Sequence, residues 1–267
     1  MSAHRIEVNG RDATREDLRR VATFNYGHFT AMQWRDGGVR GLSLHLERLD
    51  AATRALFGHP LEAALVRARL AHALHDARGS ASVRVHVFSH ALDRDALAAP
   101  APPDVLVVVG PPAPAVGAPL RVRSAPYERE LPAIKHAGTF GLFHQRRLAQ
   151  QDGFDDALFV ARDGAVSEGT TWNAGFHDGT RVVWPEAPML DGVTQQLLRA
   201  GLAARGIAQE TRRVRRDELS GFACAFATNT AMPVRAIASI DAHRYRDAGD
   251  LVATLRAIHD AVPPEAP

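Results

Sequence analysis

The segment Gly110-Pro111-Pro112-Ala113-Pro114-Ala115-Val116-Gly117 constrains the fold of this chain more than any other. Each proline removes a backbone donor and fixes φ, so neither a helix nor a central strand can run through it. It is read as a linker over 111–118, joining a smaller N-terminal α/β domain at 1–110 to a larger C-terminal domain at 119–267. A chain of 267 residues, 46% of them hydrophobic, can supply a core to each side. No internal repeat is visible.

Composition excludes several function classes. The one cysteine, Cys224, rules out an intrachain disulfide framework and a cysteine zinc site. It lies in the apolar run Phe222 to Ala227, as an inert core residue would. The formal net charge is only +2, and the densest basic group, Arg212, Arg213, Arg215 and Arg216, runs straight into Asp217 and Glu218. Without interleaved aromatics or a known module, that patch predicts no nucleic-acid partner. No apolar run approaches the roughly 18 residues of a membrane span. Met1-Ser2-Ala3-His4-Arg5 leads into a strand-like segment without a signal-peptide pattern. A cytoplasmic, membrane-free protein is expected. His86 and His90 are too isolated to argue for a metal.

In the N-terminal part, His4 to Val8 alternates as a strand and Val21 to Trp34 is strand-rich. Arg35-Asp36-Gly37-Gly38 carries a hairpin signal. Leu42, Leu46, Leu49, Ala52 and Leu56 recur at helical spacing, predicting a helix from Ser43 to Phe57 that stops at Gly58. A second helix is expected near Pro60 to Asp76, then strands at Ala81 to Ser89 and Asp104 to Val109. In the C-terminal part, strands are expected at Leu120 to Arg123, Ala157 to Ala161 and Phe222 to Ala227. Helices are expected up to about Gln151, from the Gly192-Val193-Thr194 segment to about Ala204, and from about Ala248 to Ala261.

Lys135 is the only lysine; every other residue in the Lys+Arg total of 32 is arginine. A surface can trade lysine for arginine, but a guanidinium stays protonated and cannot form a Schiff base. The surviving amine is therefore a candidate nucleophile. Downstream, Glu168 falls between a hairpin signal and a Gly-Thr-Thr turn, where strands position functional groups. Gly192-Val193-Thr194 at a helix start offers free N–H groups, a hydroxyl and the positive end of the dipole, a ready phosphate site.

Lys135, Gly153-Phe154-Asp155-Asp156 and Glu168-Gly169-Thr170-Thr171-Trp172-Asn173 together resemble the class IV aminotransferase family of pyridoxal-phosphate enzymes. So do His45-Leu46-Glu47-Arg48-Leu49, Gly192-Val193-Thr194 and Thr228-Asn229-Thr230. The resemblance implies a two-domain fold type IV architecture of mixed α/β and α+β character, like D-amino-acid aminotransferase. It implies pyridoxal 5'-phosphate as cofactor, with Lys135 carrying the internal aldimine and Glu168 facing the pyridine nitrogen. Arg48, Val193, Thr194, Asn229 and Thr230 would lie on the cofactor's phosphate side, and a homodimer is implied. His28, Thr30, Trp34 and Trp172 are candidates for the substrate side.

The chemistry implied is amino transfer between an amino acid and a 2-oxo acid, both small molecules. A free lysine near pKa 10.4 is neutral about once in 2,500 at pH 7, so holding it as an imine removes that deficit. The branched-chain group has a tyrosine five residues after its lysine; this chain has Phe140. His136, Phe29-Thr30, Asn229 and Met232-Pro233-Val234 lean toward aminodeoxychorismate lyase, the alternative activity. A non-catalytic binding member of the fold is a third expectation.

Overall fold

The structure, a computed structural model, describes residues 4–114 and 116–267. The chain start at Met1-Ser2-Ala3 and the linker residue Ala115 lie outside the described residues. The chain forms two compact units. The first holds residues up to Ala113 together with Ile134–Gly138 and Pro263–Pro267; the second holds Pro114–Ala133 and Thr139–Val262.

In the first unit the main strands are β1 (Arg5–Val8), β2 (His28–Arg35), β3 (Gly38–Arg40), β4 (Ala81–Phe88) and β5 (Asp104–Gly110). They form one antiparallel sheet in the order β3-β2-β4-β5-β1, with Pro264–Glu265 added beyond β3 and Arg11–Asp12 beyond β1. β4 shows why: Ala81, Val83, Val85 and Val87 are buried on one face, while Ser82, Arg84 and His86 alternate onto the other. Helices α2 (Leu42–Phe57) and α3 (Ala63–Leu74) cover the apolar face through Leu42, Leu46, Leu49, Phe57, Val66 and Leu70. α2 ends where expected, on Gly58 with φ 62. Asp36 and Gly37 both take positive φ in the β2–β3 hairpin.

One helix escaped the sequence pattern. α1 (Arg15–Thr23) precedes β2, so the strand-rich stretch expected from Val21 begins only at His28. Its face carries too few apolar residues for a periodicity signal. Its start is legible instead as a capping box: Thr14 Oγ1 accepts from Asp17 N–H, and the Asp17 carboxylate accepts from Thr14 N–H.

The second unit is built on β6 (Leu120–Pro126), β7 (Asp156–Val160), β8 (Val166–Gly169), β9 (Asn173–His177), β10 (Val182–Pro185), β11 (Gln209–Arg212), β12 (Cys224–Thr228) and β13 (Arg235–Ile240). The hydrogen-bonded order β9-β12-β13-β6-β7-β8 returns to β9, closing a six-stranded ring, with β10 and β11 extending from β9. Val122, Leu158, Val166, Phe176, Ala225, Ala227 and Ile237 share one core cluster. Alternate residues face outward, where α5 (Val193–Ala204) and α6 (Gly249–Asp260) pack on Trp184, Cys224 and Phe226. Helix α4 (Phe140–Gln151) links the parallel pair β6 and β7 and packs Leu142 and Ala149 on Ala125, Ala157 and Phe159.

The expected C-terminal domain carried the lysine; in the structure Ile134–Gly138 packs with the first unit. The reason is backbone pairing. Phe29 N–H donates to Lys135 O at 2.9 Å, Ala137 N–H donates to Gly27 O at 2.8 Å, and His136 bridges His28. Lys135 is thus stitched to the start of β2.

Candidate active site

In the first unit, the pairing of Lys135 to Phe29 also sets its side chain: Nζ lies 5.0 Å from the centre of the Phe29 ring. One residue along β2, Thr30 is fully buried and faces α2. There Arg48 Nη2 donates to Thr30 Oγ1 at 2.5 Å, and Thr30 Oγ1 lies 2.6 Å from His45 Nδ1. His45 and Arg48 are three apart and so share a helix face. Burial, then the charges of Arg48 and Lys135, push the His45 pKa well below the ordinary imidazole range. Its Nε2 is buried without a partner, an arrangement that costs roughly 1–3 kcal/mol.

His28 is buried and bonded through Nε2 to Thr53 Oγ1 at 2.9 Å, with Thr53 donating to Leu49 O. Burial and the Arg48 charge bring its pKa down to about 3. His28 and Thr30, candidates for the substrate side, are thus occupied with α2. Trp34 lies near the far end of β2, roughly 16 Å from Phe29 at strand rise, and packs against the core.

In the second unit, the Glu168-to-Asn173 segment is explained residue by residue. Glu168 lies within β8 and not in the turn. It is buried, and Oε1 accepts from Arg129 Nη1 at 3.1 Å and from Leu190 N–H at 3.3 Å. Gly169 is required because the Trp172 indole occupies the place of a Cβ, 1.9 Å from its ideal position. Thr170 Oγ1 donates to Asp156 at 2.6 Å and Trp172 Nε1–H donates to the same carboxylate at 3.0 Å. Arg146 ties Asp156, Thr170 and Thr171 together. Asn173 pairs across the sheet with both Glu168 and Thr228, and its Nδ2 donates to Leu190 O at 2.7 Å.

Leu190 therefore fastens the segment leading into α5 to the Glu168 strand. α5 begins on Gly192 with no side-chain cap. Val193 and Thr194 are buried in its first turn, and Thr194 Oγ1 has no partner. Asn229 Nδ2 donates to Thr171 O, and its Oδ1 accepts from Met232 N–H at 2.7 Å, closing the turn that carries Thr230. A cavity of about 540 Å³ opens beside this turn, lined by Arg146, Asp156, Thr171, Trp172, Asn229 and Arg235.

In the second unit Arg129 and Arg146 hold the Glu168 and Asp156 carboxylates, and in the first unit His45 lies against Thr30; sequence reasoning gave Arg129, Arg146 and His45 no role. Only His45 had a signal, its i,i+3 spacing to Arg48; a buried arginine cannot be told from a surface one in this arginine-rich chain. Cys224 is buried and burial raises its pKa, in keeping with an inert core thiol. Among the described residues no His/Cys/Asp/Glu group could hold a metal, and no helix is long and apolar enough to cross a membrane.

A closed six-stranded ring in one unit and a helix-covered antiparallel sheet in the other define a fold type IV architecture. Its solved likenesses include a branched-chain amino acid aminotransferase from Thermobaculum terrenum in its PLP form, at TM-score 0.84 and 20% identity over 96% of this chain and 92% of that one. Another is "Putative 4-amino-4-deoxychorismate lyase" from Legionella pneumophila, at TM-score 0.83 and 17% identity over 91% and 93%. The family profile "Amino-transferase class IV" matches residues 27–240, and the chain belongs to that family. A Rickettsia bellii protein named "Probable branched-chain-amino-acid aminotransferase" is 33% identical over 97 residues, 36% of this chain and only 34% of the relative's length.

The residues present fit an anionic cofactor. A buried threonine hydroxyl lacks a partner at the start of an uncapped helix, and helix starts of this kind bind phosphate.

Proposed function

We propose that this chain is a pyridoxal 5'-phosphate-dependent aminotransferase, moving an amino group between an amino acid and a 2-oxo acid. Lys135 carries the proposal: the sole primary amine among the side chains, its backbone is bonded to β2 and its Nζ lies over the Phe29 ring. When bound, the cofactor supplies an electrophilic carbon and a ring that stabilises negative charge at the substrate Cα.

Lys135 Nζ would hold that carbon covalently and, once displaced by substrate, act as the base for the Cα proton. Arg48, the α5 N-terminus with Val193 and Thr194, and the Asn229-Thr230 turn would anchor the phosphate and so fix geometry. Glu168 would hold a proton on the ring nitrogen, with Trp172 toward the substrate. A homodimer is proposed for the assembly, checked by light scattering.

The test is an absorption spectrum with added pyridoxal phosphate for wild type and Lys135→Ala. Wild type should gain a visible band, and borohydride should then leave a mass adduct on Lys135; the variant should show neither. No band in wild type would remove the catalytic reading and leave a binding member of the fold.

A second reading, aminodeoxychorismate lyase activity giving 4-aminobenzoate and pyruvate, is favoured by His136, which follows the lysine and bridges His28. Release of pyruvate from 4-amino-4-deoxychorismate, with no turnover of D- or L-amino acids, would decide for it.

A further inference from the structure

Three polar groups on two elements of the first unit form a directed chain: Arg48 Nη2 to Thr30 Oγ1 at 2.5 Å, and Thr30 Oγ1 to His45 Nδ1 at 2.6 Å. The guanidinium can only donate, so Thr30 Oγ1 accepts from it. Thr30 Oγ1 has no further hydrogen-bond partner among the described residues, so its single proton has only His45 Nδ1 to point at, and Nδ1 accepts it. Arg48 Nη2 also lies 3.5 Å from the same Nδ1, a place where a second N–H would meet a donor with a donor. The network therefore assigns His45 as the neutral tautomer carrying its proton on Nε2. That Nε2 is buried and has no partner.

A buried histidine with an unanswered N–H is poor material for a core. A leucine at this α2 position would continue the run of Leu42, Leu46 and Leu49 that packs on the sheet. What the imidazole provides is an acceptor that cannot be protonated cheaply, since it is fully buried and the charges of Arg48 and Lys135 bear on it. A neutral acceptor orients the threonine hydroxyl, and the oriented hydroxyl presents its lone pair to the arginine.

We propose that Thr30 and His45 are positioning residues that hold the Arg48 guanidinium in a fixed direction for the anionic group of the ligand, Thr30 acting directly and His45 through Thr30. This reassigns Thr30 from substrate contact to arginine support, and it rests on the proposal that Arg48 binds the cofactor phosphate. Because the fixed element is a hydrogen-bonded hydroxyl, its value depends on the oxygen and not on the shape of the side chain.

The test compares apoprotein affinity for pyridoxal phosphate with affinity for pyridoxal, which lacks the phosphate, in wild type, Thr30→Val, Thr30→Ser and Arg48→Ala. Thr30→Val keeps the volume and should weaken pyridoxal phosphate binding on the order of tenfold, the scale of one lost hydrogen bond to a charged group. Pyridoxal affinity should hold, and Thr30→Ser should restore most of the loss. Equal losses for both ligands in Thr30→Val, or none for either, would overturn the assignment. Arg48→Ala separates the two levels: if it leaves pyridoxal phosphate binding unchanged, the phosphate role of Arg48 fails. The relay is read independently by nitrogen chemical shifts of His45 in the apoprotein. They should report a proton on Nε2 and none on Nδ1 in wild type, and a changed Nδ1 signal in Thr30→Val. A proton on Nδ1 in wild type would overturn the relay whatever the affinities.

Discussion

Arg129 Nη1 lies 3.1 Å from Glu168 Oε1, and both side chains are almost wholly buried, at 5% and 6% exposure. The same Oε1 takes the N–H of Leu190, so one carboxylate holds a charge and the backbone leading into α5. Removing one member of a buried pair costs far more than the pair gains, about 3–5 kcal/mol. Arg129→Met should therefore destabilise strongly in urea, while Arg129→Met with Glu168→Gln should cost less than the sum of the two single changes. Additive losses would show that the pair is not the unit.

The Asp156 carboxylate should behave as a second such unit. It accepts from Thr170 Oγ1, Trp172 Nε1, Arg146 Nη2 and the adjoining Ala157 N–H. Asp156→Asn keeps the shape but turns one acceptor oxygen into a donor. A loss of about 2–4 kcal/mol is expected. Trp172 emission, isolated by comparison with Trp172→Phe, should move as its indole N–H loses the carboxylate. An unchanged emission spectrum would count against the arrangement.

Stability should fall with acidity through His28. Its folded-state pKa is lowered from 6.5 to about 3 by burial and the Arg48 charge. Below about pH 6.5 the unfolded chain takes up a proton that the folded chain refuses, so the contribution is full above 6.5 and drains as pH falls toward 3. The slope is up to about 1.4 kcal/mol per pH unit. His28→Gln should cut the stability difference between about pH 7 and pH 5 by about 2 kcal/mol. Parallel pH profiles for the two proteins would argue that His28 is not buried neutral.

Gly192 leaves no room for a side chain: an added Cβ would sit 2.0 Å from Asn173 Oδ1. Gly192→Ala should displace the amide that holds Leu190 O and cost about 1–3 kcal/mol. Asn173→Ala in the same chain should relieve part of that cost, giving a non-additive pair. Pyridoxal phosphate affinity should fall in Gly192→Ala, because relieving the clash with Asn173 moves the residue from which α5 starts.

What the sequence could reveal follows from which forces act locally. α2 announced itself because its apolar face repeats at helical spacing and Gly58 stops it, and the Asp36-Gly37 turn needs only local backbone chemistry. α1 stayed hidden because its stability rests on a cap and charges rather than an apolar stripe. β13 and β11 were not expected, since Arg235–Ile240 is completed by pairing with the distant Leu120–Val122 and Gln209–Arg212 by pairing with Val182–Pro185. The same holds for the site. Lys135, Glu168 and Thr194 stand out by residue type and neighbourhood, whereas Arg129 matters only because the fold carries it, 39 residues away in sequence, onto Glu168.

The assignment of Ile134–Gly138 and Pro263–Pro267 to the first unit bears on how this protein could be taken apart. The two units are not cassettes that a single cut would free. A fragment ending at Ala113 would lack the strand that pairs with β3 and the segment whose carbonyl holds Phe29 N–H. A swap between relatives at the linker would bring in a lysine segment selected against a different β2. Exchange of parts should therefore succeed only when Ile134–Gly138 travels with β2, a rule of modular inheritance in which the proposed nucleophile belongs to the half that lies before it in the chain.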